Sequence, residues 1–268
     1  MVLKLVVIFA MIIAGIIFFM GFNDHPEVTV YTIESNKVKD TVRICLLSDL
    51  HSSNYGNQLV ELVDQYDPDV IVMAGDIFEA RYGFKHADEM VDSISKYPFY
   101  YVTGNHECRC KVEEKAKEHI VDRGGHVLSG KSVIFEAKGE KIQLLGIDDL
   151  NARKYDFTDQ VIHAKSFVDE RYFSVLVSHE PQMIDLYESC DWDMVVCGHA
   201  HGGQWIYKER GLFAPQQGLF PKYTQGVHVL KNDTKLVISR GLCKSYPWAP
   251  RLFNRPEIVM IDIKGVKE

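Results

Sequence analysis

Apolar and polar positions divide this chain into three regimes. From Leu5 to Phe22, eighteen residues carry no charge; as a helix they span roughly 27 Å, enough to cross a bilayer core with some thinning. Residues 23–41 are mixed in character and read as a linker leading into a fold. From Val42 onward, short apolar runs alternate with segments of helical periodicity. Val42–Ser48 precedes a helical pattern over Asn57–Tyr66, Asp69–Ala74 precedes Lys85–Ser95, and Pro98–Thr103 precedes Lys111–Arg123. The second half predicts mostly strands. Val133–Ala137 and Lys141–Ile147 flank a Lys138-Gly139-Glu140 hairpin turn, and Phe173–Ser178 and Asp193–Cys197 follow. Val227–Leu230 and Lys235–Ser239 meet across Lys231-Asn232-Asp233-Thr234, and Glu257–Ile263 is the last run. Strands and helices at this spacing predict an α/β layered core. With no internal repeat and no Pro/Gly-rich interdomain linker, residues 42–268 are expected to form one domain after an anchor over 1–22.

The apolar N-terminal run has three readings. A buried helix of a soluble core would usually show a polar residue. A cleaved signal peptide would have a shorter apolar region and an Ala-x-Ala site, whereas Asn23-Asp24-His25-Pro26 follows here. An uncleaved single-pass signal anchor fits best. Lys4 and the amino terminus precede the run and the next basic residue is Lys37, so the positive-inside rule places the domain outside the cytoplasm. The six cysteines, scattered without a disulfide-scaffold spacing, point the other way.

Composition adds one exclusion. The apolar fraction of 46% and charged fraction of 25% are those of an ordinary folded domain, and the net charge of −7 argues against a nucleic-acid partner.

Polar residues suited to chemistry recur where the apolar runs stop: Asp49-Leu50-His51, Gly75-Asp76, Gly104-Asn105-His106-Glu107, His179 and Gly198-His199-Ala200-His201. In open α/β sheets the carboxyl ends of strands form the ligand crevice. Oxygen and imidazole donors gathered there suit Mn, Fe, Zn or Co. At a strand end, residues i and i+2 share a direction, so Asp49 and His51 are expected to reach one ion, and His199 and His201 two neighbouring ions. A lone Asp-x-His carries almost no specificity; the ordered set carries a great deal.

That ordered set resembles the calcineurin-like metallophosphoesterase superfamily over roughly residues 42–263. Gly198-His199-Ala200-His201-Gly202-Gly203-Gln204, Ser239-Arg240-Gly241-Leu242 and Arg251-x-Phe253-x-Arg255-Pro256-Glu257 resemble a membrane-associated or exported bacterial subgroup that includes phosphodiesterases and lipid-linked UDP-sugar pyrophosphatases. The resemblance implies a four-layer α/β/β/α sandwich: two mixed β-sheets flanked by helices, here behind an N-terminal transmembrane helix. It implies two divalent metal ions, manganese first, with Fe, Zn, Co or Mg also suited. Asp49, His51, Asp76 and His201 would hold the first ion; Asp76, bridging, with Asn105, His179 and His199 would hold the second. A metal-bridged hydroxide would attack phosphorus, with His106 protonating the leaving oxygen. Glu107 would sit behind the ligands. Cys243 stands where the subgroup often has Gly and puts no role in doubt.

The expected function is hydrolysis of a phosphodiester or pyrophosphate in a membrane or cell-envelope substrate, lipid-linked substrates included. The alternatives are a phosphomonoesterase acting on a nucleotide or phosphoprotein and, in another class, a silent membrane-tethered metal-binding scaffold. The intact ligand set and His106 count against silence. The stretch after His201, with Trp205, Phe213, Leu219 and Phe220, reads as a long loop capping the site, packed on the sheet or turned towards lipid. Arg240, Arg251 and Arg255 could grip a second phosphate, with structural ion pairs as the default. Oligomeric state is not encoded in any motif.

Overall fold

The computed structural model describes residues 2–152, 157–245 and 250–266. In chain order its elements are α1 Val2–Gly21, β1 Glu27–Ser35, β2 Val42–Leu47, α2 Gln58–Tyr66, β3 Val70–Ala74, α3 Lys85–Ile94, β4 Phe99–Val102, α4 Asn105–Arg109, α5 Glu113–Val121, β5 His126–Val127, β6 Ser132–Ala137 and β7 Glu140–Gly146. Then follow α6 Phe157–Ser166, β8 Phe173–Val177, α7 Ile184–Tyr187, β9 Met194–Cys197, β10 Ile206–Tyr207, β11 Arg210–Gly211, β12 Phe213–Ala214, β13 Gly218–Leu219, β14 Gly226–Val229, β15 Lys235–Ile238 and β16 Glu257–Gly265.

Two six-stranded sheets carry the fold, in the orders β1-β16-β2-β3-β4-β5 and β14-β15-β9-β8-β7-β6. Both are mixed: β16 runs antiparallel to β2, and β14–β15 and β6–β7 are antiparallel hairpins beside parallel neighbours. The period-2 alternation of each strand builds the layers. On β2, Ile44 and Leu46 point between the sheets, where they meet Val72, Val102, Leu144, Val175 and Val196. Cys45 and Leu47 point the other way, against Leu59 and Val63 of α2 and Met90 and Ile94 of α3. The second sheet does the same with Leu145, Leu176 and Val195 against Ala164 of α6 and Tyr187 of α7. This is the layered α/β/β/α arrangement expected.

Residues 23–41, read as a linker, contain strand β1, which pairs in parallel with β16 over nine residues from Glu27↔Glu257 to Ser35↔Gly265. As a half-exposed edge strand it shows little apolar contrast. The six cysteines are all free. Helix α1 projects from the fold with its apolar surface uncovered; Phe19 is 83% exposed.

A buried ion pair fixes the strand end that leads into the site. Lys117 Nζ lies 2.7 Å from Asp148 Oδ2, while Asp148 Oδ1 accepts from the Thr103 backbone N–H and hydroxyl. Burial works against the Asp148 charge, but Lys117 holds its carboxyl below the usual range. A carboxyl depressed by folding stabilises the fold above its unfolded value near 4 and loses that contribution as pH falls through the folded value. Lys117→Met leaves the carboxylate without its counter-charge, and is expected to cost about 3–5 kcal/mol at neutral pH. The deficit should shrink as pH falls towards about 4, which urea melts across pH would register.

Candidate metal centre

Five loops at the carboxyl ends of β2, β3, β4, β8 and β9 meet at one crevice. Backbone bonds knit the first two together: Asp49 N–H to Gly75 O at 3.0 Å and His51 N–H to Asp76 O at 2.9 Å. Strand alternation does not aim the donors, contrary to the expectation from spacing. Asp49, His51, Asp76, His199 and His201 all adopt positive φ, between 46° and 68°, so left-handed turns at the ends of β2, β3 and β9 swing these side chains inward. Non-glycine residues rarely accept that conformation, and its concentration here is the backbone signature of a working site. Two neighbouring glycines are required by space alone. A Cβ on Gly104 would sit 2.2 Å from Asp76 Oδ1, and one on Gly198 would sit 2.3 Å from Asp49 Oδ2.

All seven residues expected as ligands come together, in two groups. Asp49, His51 and His201 place donor atoms within 4.8 Å of one another, as do Asp76, His179 and His199; a third such set joins His51 and Asp76 to His106. Asp76 Oδ2 joins them, 3.6 Å from His51 Nε2 and 3.3 Å from His179 Nε2. Asn105 Oδ1 is 3.1 Å from His179 Nε2.

The donors' own chemistry tests whether cations fit. His179 Nδ1 faces the Ala74 carbonyl at 2.7 Å and donates to it, which in the neutral ring leaves a lone pair on Nε2. That lone pair meets oxygens of Asp76 and Asn105 and, at 3.2 Å, His199 Nδ1. His51 Nε2 is buried without a partner. Acceptors converging without hydrogens are the environment a cation satisfies. Burial lowers the His199 pKa, and burial lowers His201 to about 3 against the pull of Asp49. Both rings stay neutral and able to ligate.

Around this set lies a supporting layer. Glu107, fully buried, points away from the crevice and accepts N–H bonds from Asp76, Ile77, Phe78 and Gly104 at 2.7–3.0 Å. Burial and the Asp76 charge push its carboxyl up, and the donated N–H bonds pull against that shift. Glu107→Gln turns an amide NH₂ towards donors it cannot accept from. We expect a loss of roughly 2–3 kcal/mol in stability and about 10–100-fold in metal affinity, read from melts and metal titration.

Two residues went unseen in the sequence. Glu79 Oε2 lies 2.6 Å from His106 Nδ1 and 3.4 Å from His51 Nδ1. The hydrogen bonds to His106 and His51 hold its carboxyl far below the usual range. Burial works against a charge on His106, but Glu79 and Asp76 raise its pKa. Gln216 Oε1 takes the Nε2–H of His199 at 2.6 Å; it lay in the loop read as a cap, with nothing to single it out. The three arginines are structural. Arg251 is buried and donates to the carbonyls of Arg240, Gly241, Cys243 and Asn254. Arg240 pairs with Glu27 and Glu257, and Arg255 with Glu27. A cleft of about 450 Å³ opens over the donors, lined by His51, Glu79, Arg81, Tyr82, His106, His201, Phe213, Pro215 and Lys244 among others.

Comparison with known proteins places this arrangement. Residues 42–203 match the calcineurin-like phosphoesterase family. An uncharacterized metallophosphoesterase of Campylobacter jejuni is 27% identical over 90% of this chain, which spans 64% of that longer protein. The Escherichia coli phosphodiesterase YaeI is 23% identical over 82% of each chain. In fold, the Haemophilus influenzae NAD nucleotidase NadN superposes with a TM-score of 0.53 at 17% identity, covering 75% of this chain and 45% of that one. With the match spanning more than half of its length and its donors gathered at the strand ends, the chain belongs to the calcineurin-like phosphoesterases, which use a dinuclear metal centre.

Proposed function

We propose that the chain hydrolyses phosphodiester or pyrophosphate bonds in a membrane or cell-envelope substrate, with α1 as a single-pass anchor and the domain outside the cytoplasm. Asp49, His51, Asp76 and His201 would hold one divalent ion and Asp76, Asn105, His179 and His199 the other, manganese being first choice. When bound, such a pair supplies a hydroxide nucleophile near neutral pH and neutralises charge on phosphoryl oxygens. The chain's own contribution is proton delivery. Glu79 anchors His106 Nδ1, which leaves Nε2 for the cleft and favours the protonated ring that serves the leaving oxygen.

The observation that carries the diester reading is the make-up of this cleft. Tyr82, Phe213 and Pro215 give it apolar walls beside the cations Arg81 and Lys244, while Arg251 is committed to backbone carbonyls. Such a lining suits a phosphate with an organic group on either side better than a dianionic monoester. The test uses full-length protein in detergent, loaded with manganese, on bis-p-nitrophenyl phosphate, p-nitrophenyl phosphate and a UDP-sugar. The diester or UDP-sugar should exceed the monoester by about tenfold or more in kcat/KM. Preference for the monoester would move the assignment to a phosphatase. Absence of turnover on all three in a folded, metal-loaded sample would favour a silent scaffold.

A further inference from the structure

Between His201 and Thr224, Tyr223 packs against the core, but most of the large side chains do not. The segment folds as two short hairpins, β10–β11 and β12–β13, and turns apolar groups outward: Tyr207 and Phe220 are 75% exposed and Leu219 69%, with Trp205 and Phe213 near half. Single exposed apolar residues are unremarkable, but this many on one strap imply a covering partner.

The strap is continuous with the end of α1. Leu252 bridges to Phe22 on one side and to Trp205 on the other, and the Ile206 N–H donates to the Leu252 carbonyl. The neighbouring Phe253 donates its N–H to Gly21 O at 2.7 Å. Its ring lies so close that a Cβ on Gly21 would approach to 2.8 Å. The helix therefore leaves the fold directly beside the strap. Charge follows the same logic. Between residues 204 and 223 the cations Lys208, Arg210 and Lys222 face a single acid, Glu209, although the whole chain carries −7; all three cations are exposed. Aromatic side chains mixed with cations suit the headgroup zone of an anionic bilayer.

We propose that this strap, together with Phe253, is a membrane-docking surface for an anionic bilayer. It lies in the interfacial layer that α1 enters and holds the mouth of the metal cleft at headgroup depth. Phe213 and Pro215 of the strap also line that cleft beside His201, so the strap reaches from the proposed lipid surface to the candidate reaction centre. The surface rests on the reading of α1 as a membrane anchor, and it favours substrates presented from the bilayer over freely soluble ones.

The test is quenching of tryptophan emission by brominated acyl chains. Full-length protein is reconstituted into phosphatidylcholine–phosphatidylglycerol vesicles, checked first by flotation. Emission should be quenched relative to unbrominated lipid, and most of that quenching should vanish in Trp205→Phe and return when Phe220→Trp is added. All samples carry Trp248→Phe, so that Trp205 and the buried Trp192 are the emitters and Trp192 serves as an internal reference. If the protein floats but the quenching is the same with and without Trp205, and Phe220→Trp restores none, the strap faces water and the proposal falls. Two copies per nanodisc with unquenched Trp205 would assign the surface to a second chain instead. Failure to float would remove the membrane reading itself, and this surface with it.

Discussion

Asp76→Asn is expected to abolish metal-dependent turnover, by on the order of 1,000-fold or more, while the fold stays intact. The estimate rests on position: loss of a group that merely supports a ligand already costs about 10–100-fold, and Asp76 Oδ2 lies 3.6 Å from His51 Nε2 and 3.3 Å from His179 Nε2. An amide there keeps one oxygen and nearly the same shape, so the Asp76 N–H bond to Glu107 and the His106 N–H bond to Oδ1 survive. What goes is the negative charge between the two donor groups. Metal content by mass spectrometry and turnover of the diester should fall together, and melting temperature should barely move. Full metal content with lost turnover would mean that Asp76 serves the reaction rather than the ions. Full activity would place the bridging role elsewhere.

The core of this site was legible because it consists of polar residues at the ends of apolar runs, where a strand must stop and its terminal side chains meet a crevice. Asp49-x-His51, Gly104-Asn105-His106-Glu107 and His199-x-His201 need only their own neighbours to be noticed. The expected reason for their aim was mistaken: the pairs converge through left-handed turns, a backbone choice that sequence does not announce outside glycine. Glu79 was invisible for a different reason. Its role exists only because the loop after β3 folds back until its carboxylate bonds two histidines from two other loops. Gly104-Asn105-His106-Glu107 itself opens a short helix, α4, in which the Glu107 carboxylate returns to accept the N-cap Gly104 N–H. Strand β1 was lost to the linker because it pairs with β16, more than two hundred residues away, and exposes much of its surface. Long-range pairing of a half-wet edge leaves almost no local trace.

His106→Asn should separate substrates by their leaving groups. With a glycerophosphodiester, whose alkoxide leaves with difficulty, kcat is expected to fall by about 10²–10⁴-fold; with p-nitrophenolate, which leaves unaided, by roughly tenfold or less. Metal content should not change, because the ring's Nδ1 is held by Glu79 rather than placed among the ligands expected. Glu79→Gln supplies the second arm through pH. Burial opposes the His106 charge while Glu79, hydrogen-bonded to it, raises its pKa. The acid form that donates the proton is therefore present below that raised value and is lost as pH rises through it. Without the carboxylate the His106 pKa drops, so the alkaline limb of kcat on the glycerophosphodiester should move to lower pH. The same limb with p-nitrophenyl diester should be shallow in both proteins. Equal losses on both substrates, with an unmoved limb, would make His106 a phosphate-orienting residue and leave protonation of the leaving oxygen to solvent.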